Sequence, residues 1–134
     1  MKVVPYDVFN QRAIVIPDGF LVPGHSNGGV YVVTMDETDI ETADTSYHIS
    51  TEENGFFYHM GEWVDLNNDG RKDFITARSN AKAGEGQLVW FEHPEEGLGG
   101  TWTEHVVCTG CADVGIDVVT DGNWFTGDYV IFAA

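Results

Sequence analysis

Apolar and polar positions alternate along this chain over short stretches and never settle into a helical spacing. Val30–Met35, Tyr58–Val64, Phe74–Arg78 and Gln87–Glu92 are rich in β-branched and aromatic residues and are followed by Asp36, Asp65, Ser79-Asn80 and His93-Pro94. That is the pattern of strands closed by turns. The same reading predicts strands at Arg12–Ile16, Phe20–Val22, Tyr47–Ile49, Trp102–Val107, Val114–Val119 and Tyr129–Phe132. With 16 glycines and no sustained apolar run at i, i+3, i+4, i+7, there is almost nowhere to put a helix, and the class is all-β. The acidic stretch Asp36–Asp44 between two strands reads as a solvated loop.

The strands repeat. Phe20-Leu21-Val22, then Ser26-Asn27-Gly28-Gly29, then Val30–Val33 matches Phe74-Ile75-Thr76, Ser79-Asn80, a Gly-rich turn and Leu88–Phe91. The anchors lie 54 residues apart, and a third begins 55 residues further on at Tyr129. His48 and His105 mark the strand that closes each of the first two units. Four short strands per unit of this length predict β-propeller blades. The whole chain, 1–134, reads as one propeller segment with blades near 12–50 and 58–107 and a partial blade over 113–134. That is about 2.5 four-stranded antiparallel blades, whereas a propeller closes with about 4–8. The segment is therefore expected to belong to a larger propeller, completed by remaining blades of the same chain or by further copies.

Composition narrows the partners. With 22 Asp plus Glu against 6 Lys plus Arg, the formal net charge is −16 and the pI is near 4.2, yet 43% of residues are hydrophobic. Such a chain folds, and its surface repels phosphate backbones and anionic headgroups. No nucleic acid and no membrane insertion are expected, and cations are favoured. No apolar run approaches the roughly 18 residues of a membrane span, and Met1–Asp7 lacks the apolar centre of a signal peptide. The two cysteines, Cys108 and Cys111, stand as Cys-Thr-Gly-Cys. They read as a small disulfide closing a turn or as two thiols, since neither a zinc ligand set nor a redox helix accompanies them. A disulfide would place the chain in an oxidising compartment.

The sharpest chemical signal is Asp65-Leu66-Asn67-Asn68-Asp69-Gly70-Arg71-Lys72-Asp73. Side-chain oxygens fall at positions 1, 3, 5 and 9 through Asp65, Asn67, Asp69 and Asp73, and Gly70 turns the loop so that the Arg71 carbonyl points inward. Ca²⁺ takes about six to eight oxygens in flexible geometry, which this set plus water supplies. An EF-hand would need Glu at position 12, which is Thr76. The corresponding turns at Asp18-Gly19 and Asp121-Gly122 lack the ligand set, so one calcium is expected, with a structural role. Three like charges in one short loop repel until a divalent ion neutralises them.

This loop between strands, followed by Phe-Ile-Thr-Ala, Leu88–Pro94 and Trp102–Val107, resembles a blade of the FG-GAP/VCBS repeat family. The resemblance is close over residues 58–107 and looser over 12–50 and 113–132. It implies a calcium-bearing propeller, usually secreted or on the cell surface, that binds a protein or glycan ligand. It also implies that Tyr58–Val64 is innermost, with the calcium loop leading to the second strand.

Other candidates are weaker. His59 and Glu62 lie three apart on that strand and would line a channel, but strict alternation points them to opposite faces. A propeller enzyme, a metal-dependent sugar lyase or dehydratase, is the alternative they represent, and a subunit of a polymeric assembly is a third. No serine elbow, P-loop, dinucleotide fingerprint or zinc-protease helix occurs. His48 and His105 suit a repeated structural role, while His25 and His93 read as loop residues without partners. Trp63, Trp90 and Trp102 read as packing between sheets, and Trp124, in a Gly-flanked loop, is the best exposed contact for a ligand.

Overall fold

Alternation of side chains decides which face of each strand is covered. In the computed structural model, which describes residues 1–19, 27–50, 55–80, 85–112, 115–119 and 130–133, Val30, Val32 and Thr34 are buried while Tyr31, Val33 and Met35 are half-buried. The elements are β1 (Lys2–Val3), α1 (Tyr6–Phe9), β2 (Ala13–Pro17), β3 (Val30–Met35), β4 (Ala43–His48), β5 (Phe56–Val64), β6 (Asp73–Asn80), β7 (Glu85–Glu92), β8 (Thr103–Thr109), β9 (Ile116–Val119) and β10 (Val130–Ala133). They form two four-stranded antiparallel sheets, each in chain order, and a two-stranded pair of β9 with β10.

The second sheet lies between the other two. Its strand β6 is buried on both faces: Phe74 enters the core shared with Val15, Val30 and Val32 of the first sheet, while Ile75 and Ala77 enter the core shared with Ile116 and Ile131 of the third. Main-chain bonds also tie the first two sheets, from Tyr58 N to Asp18 O at 3.0 Å and from Gly28 N to Phe56 O at 2.6 Å. A strand buried on both faces has no solvent side to blur its register, which is why β6 and β7 read so plainly from the sequence.

Several expectations are corrected. One helical turn exists: Val8 and Phe9 of α1 pack on the first core, and Asn10, at φ 53°, ends it with its N–H on Tyr6 O. One turn is too short to show a period. β1 is an added edge strand of two residues, so the first sheet starts upstream of residue 12. The solvated acidic loop ends at Thr42, and β4 begins at Ala43, with Asp36 and Asp39 capping N–H groups inside the loop. The strand that pairs with β3 is β2, where Val15 faces Val32 as Phe74 faces Phe91. That is the place the Phe20 anchor was expected to take. Phe20–Val22, the Asp121-Gly122 turn, His25 and Trp124 lie outside the described residues.

The histidine repeat also changes meaning. His48 stacks on Tyr31 with centroids 4.6 Å apart, and His105 stacks on Trp90 at 4.1 Å. Yet Tyr31 sits on the face turned away from the second sheet, whereas Trp90 packs towards the third. The two histidines lie 57 residues apart against 54 for the strand anchors, and an odd difference in spacing flips a side chain across its sheet.

A bulge in β5 between Tyr58 and Gly61 has the same effect locally. Tyr58 and Trp63, five apart, share one core because of it. At Gly61 a Cβ would lie 2.2 Å from Phe74 Cζ and 2.7 Å from the Ile75 carbonyl oxygen. Both belong to the doubly buried β6 and cannot retreat. Gly61→Ala is therefore expected to cost about 2–3 kcal/mol in urea denaturation. A loss under about 0.5 kcal/mol would contradict this packing.

Candidate metal site at the β5–β6 corner

The loop that leaves β5 after Val64 returns at Asp73, the first residue of β6. Its turns depend on left-handed backbone at Asn68 (φ 59°) and Gly70 (φ 87°). Each oxygen-bearing side chain is then fixed by main-chain donors. Asp65 accepts from Asp69 N at 3.1 Å and from Gly70 N at 2.9 Å; Asn67 Oδ1 also accepts from Asp69 N at 3.1 Å. Asp69 Oδ1 accepts from Arg71 N at 2.8 Å. Asp73 is fully buried and takes Leu66 N and His93 N, each at 2.9 Å, so it joins both ends of the loop to the start of the β7–β8 connection.

The electrostatics differ across the set. Burial raises the Asp73 carboxyl above the usual carboxylate range; the two N–H donors oppose this, and the charges of Asp69 and Asp65 add to it. Burial also acts on Asp69, but the Arg71 N–H, the Asn67 amide and the Arg71 charge outweigh it and leave that carboxyl below its ordinary value. Arg71 Nη2 lies 2.5 Å from Asp69 Oδ2. A cation thus already stands on one of the four acidic or amide groups, and Asp73 is destabilised as an anion by its neighbours. Among the described residues no group of three or more His, Cys, Asp and Glu is drawn together to hold a metal ion. Here the oxygen set includes the Asn67 amide, and Asp69 is turned to Arg71. By donor chemistry the set fits a hard cation such as Ca²⁺.

The surroundings contain residues that spacing did not reveal. Glu92 Oε1 accepts from Asn67 Nδ2 at 3.2 Å, and its other oxygen meets His105 Nε2 at 2.8 Å, so a carboxylate hydrogen-bonded between β7 and β8 braces the loop. Lys72 is paired with Asp7 at 2.7 Å, and Arg71 Nε donates to His93 O at 3.1 Å. His93, expected as an isolated loop residue, is buried with its ring stacked on Trp102 at 5.0 Å and edge-on to Phe9 at 5.2 Å. Burial, then the Arg71 charge, lowers its pKa. Beside it a cleft of about 250 Å³ is lined by Phe9, Asn10, Gln11, Arg71 and Glu95 among others.

In comparisons with protein-family models, characterised proteins and solved structures, nothing matches the chain.

The remaining predicted residues are scattered. His59 is half-buried beside the β5 bulge, so the strict alternation used to place it opposite Glu62 does not hold there. Glu62 is engaged by Lys2. Cys108 and Cys111 are joined as a disulfide at the end of β8. Trp63 and Trp102 are buried in the first core, and Trp90 packs against the second. His48 Nε2 lies 2.9 Å from Ser50 Oγ, which also takes Val30 N–H, a structural arrangement between strands. No helix of the described residues is long and apolar enough to cross a membrane.

Proposed function

We propose that this chain is a calcium-stabilised segment of an FG-GAP/VCBS-type β-propeller that acts outside the cell as a binding module for a protein or glycan. The observation that carries the reading is the Asp65–Asp73 loop, whose oxygens are held by main-chain N–H groups at the corner between the first two strands of a meandering four-stranded sheet. Asp65, Asn67, Asp69, Asp73 and the Arg71 carbonyl are the calcium ligands. The ion neutralises three carboxylates that otherwise repel, and it locks β5 to β6. The sheets are blades: each runs in chain order and packs face to face on the next. The half-buried outer face of the first sheet, with Ile14, Ile16, Tyr31 and Val33, takes a further blade of the same chain or of another copy. An extracellular or cell-surface setting agrees with the disulfide and with calcium as the counter-ion of an acidic surface.

Equilibrium dialysis against labelled calcium tests the reading. One ion retained per chain at millimolar calcium, and none by Asp65→Ala, is expected; no retention by the intact chain would sink it. Light scattering in millimolar calcium then separates the two sources of the missing blades. A stable oligomer points to a ring completed between copies, and a monomer to blades elsewhere in a longer chain.

A further inference from the structure

The cleft of about 250 Å³ beside His93 opens where α1 meets the β7–β8 connection. Ligand pockets commonly run to roughly 300–1,000 Å³, so the occupant of this one is a small molecule. Part of the lining is apolar, from Phe9 and the buried Leu98. The rest is polar and uncommitted. Asn10 ends α1 at φ 53° with its backbone N–H on Tyr6 O, and its side-chain amide, like the side chains of Gln11 and Glu95, has no hydrogen-bond or ion-pair partner among the described residues.

Arg71, also in the lining, is held in place yet not used up. Its Nε donates to His93 O at 3.1 Å and its Nη2 to Asp69 Oδ2 at 2.5 Å, while Nη1 has no partner among the described residues. Two bonds fix the guanidinium, so a further acceptor is met without ordering a long side chain. His93 is 6% exposed, and its Nδ1 meets no partner among the described residues. Buried polar atoms without partners are few in folded proteins, and one on a residue that lines a cleft points to a partner supplied from outside the chain.

We propose that this cleft binds a free α-amino acid with an apolar side chain, its carboxylate on Arg71, its ammonium on Glu95 and its side chain against Phe9 and Leu98. Charge decides the class. At a net charge of −16 and with Glu95 in the lining, a simple anion is repelled, whereas a simple cation leaves Arg71 unanswered. A zwitterion answers both signs and carries no net charge. The amides of Asn10 and Gln11, donors and acceptors at once, serve either end of it. The site goes beyond the calcium reading and does not rest on it, because none of the loop's oxygens is a contact to the ligand.

Calorimetric titration with leucine in millimolar calcium tests the proposal, with leucinamide, N-acetylleucine and glucose as comparisons. Saturable binding of one leucine per chain is expected. Leucinamide, without the carboxylate, should bind about tenfold more weakly, the worth of a charge-assisted contact. N-acetylleucine, without the ammonium, should lose about threefold, because Glu95 is exposed. Arg71→Gln and Glu95→Gln should reproduce these two losses. Glu95 has no partner in the described fold, so Glu95→Gln leaves the structure intact even where Arg71→Gln disturbs the loop, and it should erase the preference for leucine over N-acetylleucine. No saturable heat with leucine would overturn the proposal, as would leucine affinity unchanged in both variants. Leucinamide binding as tightly as leucine would overturn the role of Arg71, and N-acetylleucine doing so would reduce the cleft to a carboxylate site and overturn the zwitterion. Saturation by glucose instead of leucine would make it a sugar site and overturn the proposal outright.

Discussion

Chelation of calcium is expected to lower the melting temperature of the intact chain by about 8–12 °C, and Asp69→Ala is expected to abolish that response. A ligand present at a hundredfold its dissociation constant stabilises the folded state by about 2.7 kcal/mol. In a domain of this size each kcal/mol moves the midpoint by roughly 3–5 °C. The structure separates two roles among the carboxylates. Asp69 is partly exposed and is held by Arg71, so in chelator Asp69→Ala should melt close to the intact chain. Asp73 is fully buried and satisfies Leu66 N and His93 N, so Asp73→Ala should melt lower even without calcium, by about 1–3 kcal/mol for donors left unpaired. Scanning calorimetry with and without chelator checks both. A melt of the intact chain indifferent to calcium would refute the structural role of the ion, and equal chelator-state midpoints for the two variants would refute the division of labour.

How much of this was legible beforehand follows from how strongly each segment is constrained. β6 and β7 are buried on both faces, so Phe74–Ala77, apolar but for Thr76, and Leu88–Phe91, apolar throughout, stood out as strands. The turn in the Asp65–Asp73 loop was legible because Gly70, at φ 87°, stands where left-handed backbone is required. What was lost depends on neighbours that a linear reading cannot see. The β5 bulge resets the alternation, so the expected opposition of His59 and Glu62 had no firm basis. The parity of His48 and His105 differs because their 57-residue separation departs by an odd number from the 54 of the anchors, which the repeat reading passed over. His93 follows an obvious strand end and carries no signal of burial; only the packing of Phe9 and Trp102 around it removes it from solvent. Glu92 likewise looks like any polar strand residue until Asn67 and His105 are found on its two oxygens.

The second large effect lies at the other end of β6. Among the described residues Arg78 is the largest fully buried side chain, at 2% exposure, and its charge is held by Glu104 Oε1 at 2.8 Å, Gln87 Oε1 at 2.9 Å, the Tyr58 hydroxyl at 3.3 Å and the face of Phe56 at 4.2 Å. These partners come from the other three strands of the second sheet. Glu104→Ala would leave a buried guanidinium without its carboxylate, at a cost of about 3–5 kcal/mol. Glu104→Gln, which keeps an acceptor, should cost less. The double variant Arg78→Met with Glu104→Leu should be milder than Glu104→Ala, because it removes both charges and restores apolar packing. Denaturation in calcium-containing buffer measures all three; a loss under about 1 kcal/mol for Glu104→Ala would show that the pair is not what holds the charge. The two ends of β6 should also be independent. Asp73 and Arg78 are five residues apart on one strand, about 17 Å, beyond the range over which stability effects usually couple. The chelator-induced shift should therefore be the same in Glu104→Gln as in the intact chain. A reduced shift would mean that the strand passes strain from one charged end to the other through Phe74–Ala77, and that calcium and the buried ion pair hold the sheet as one unit.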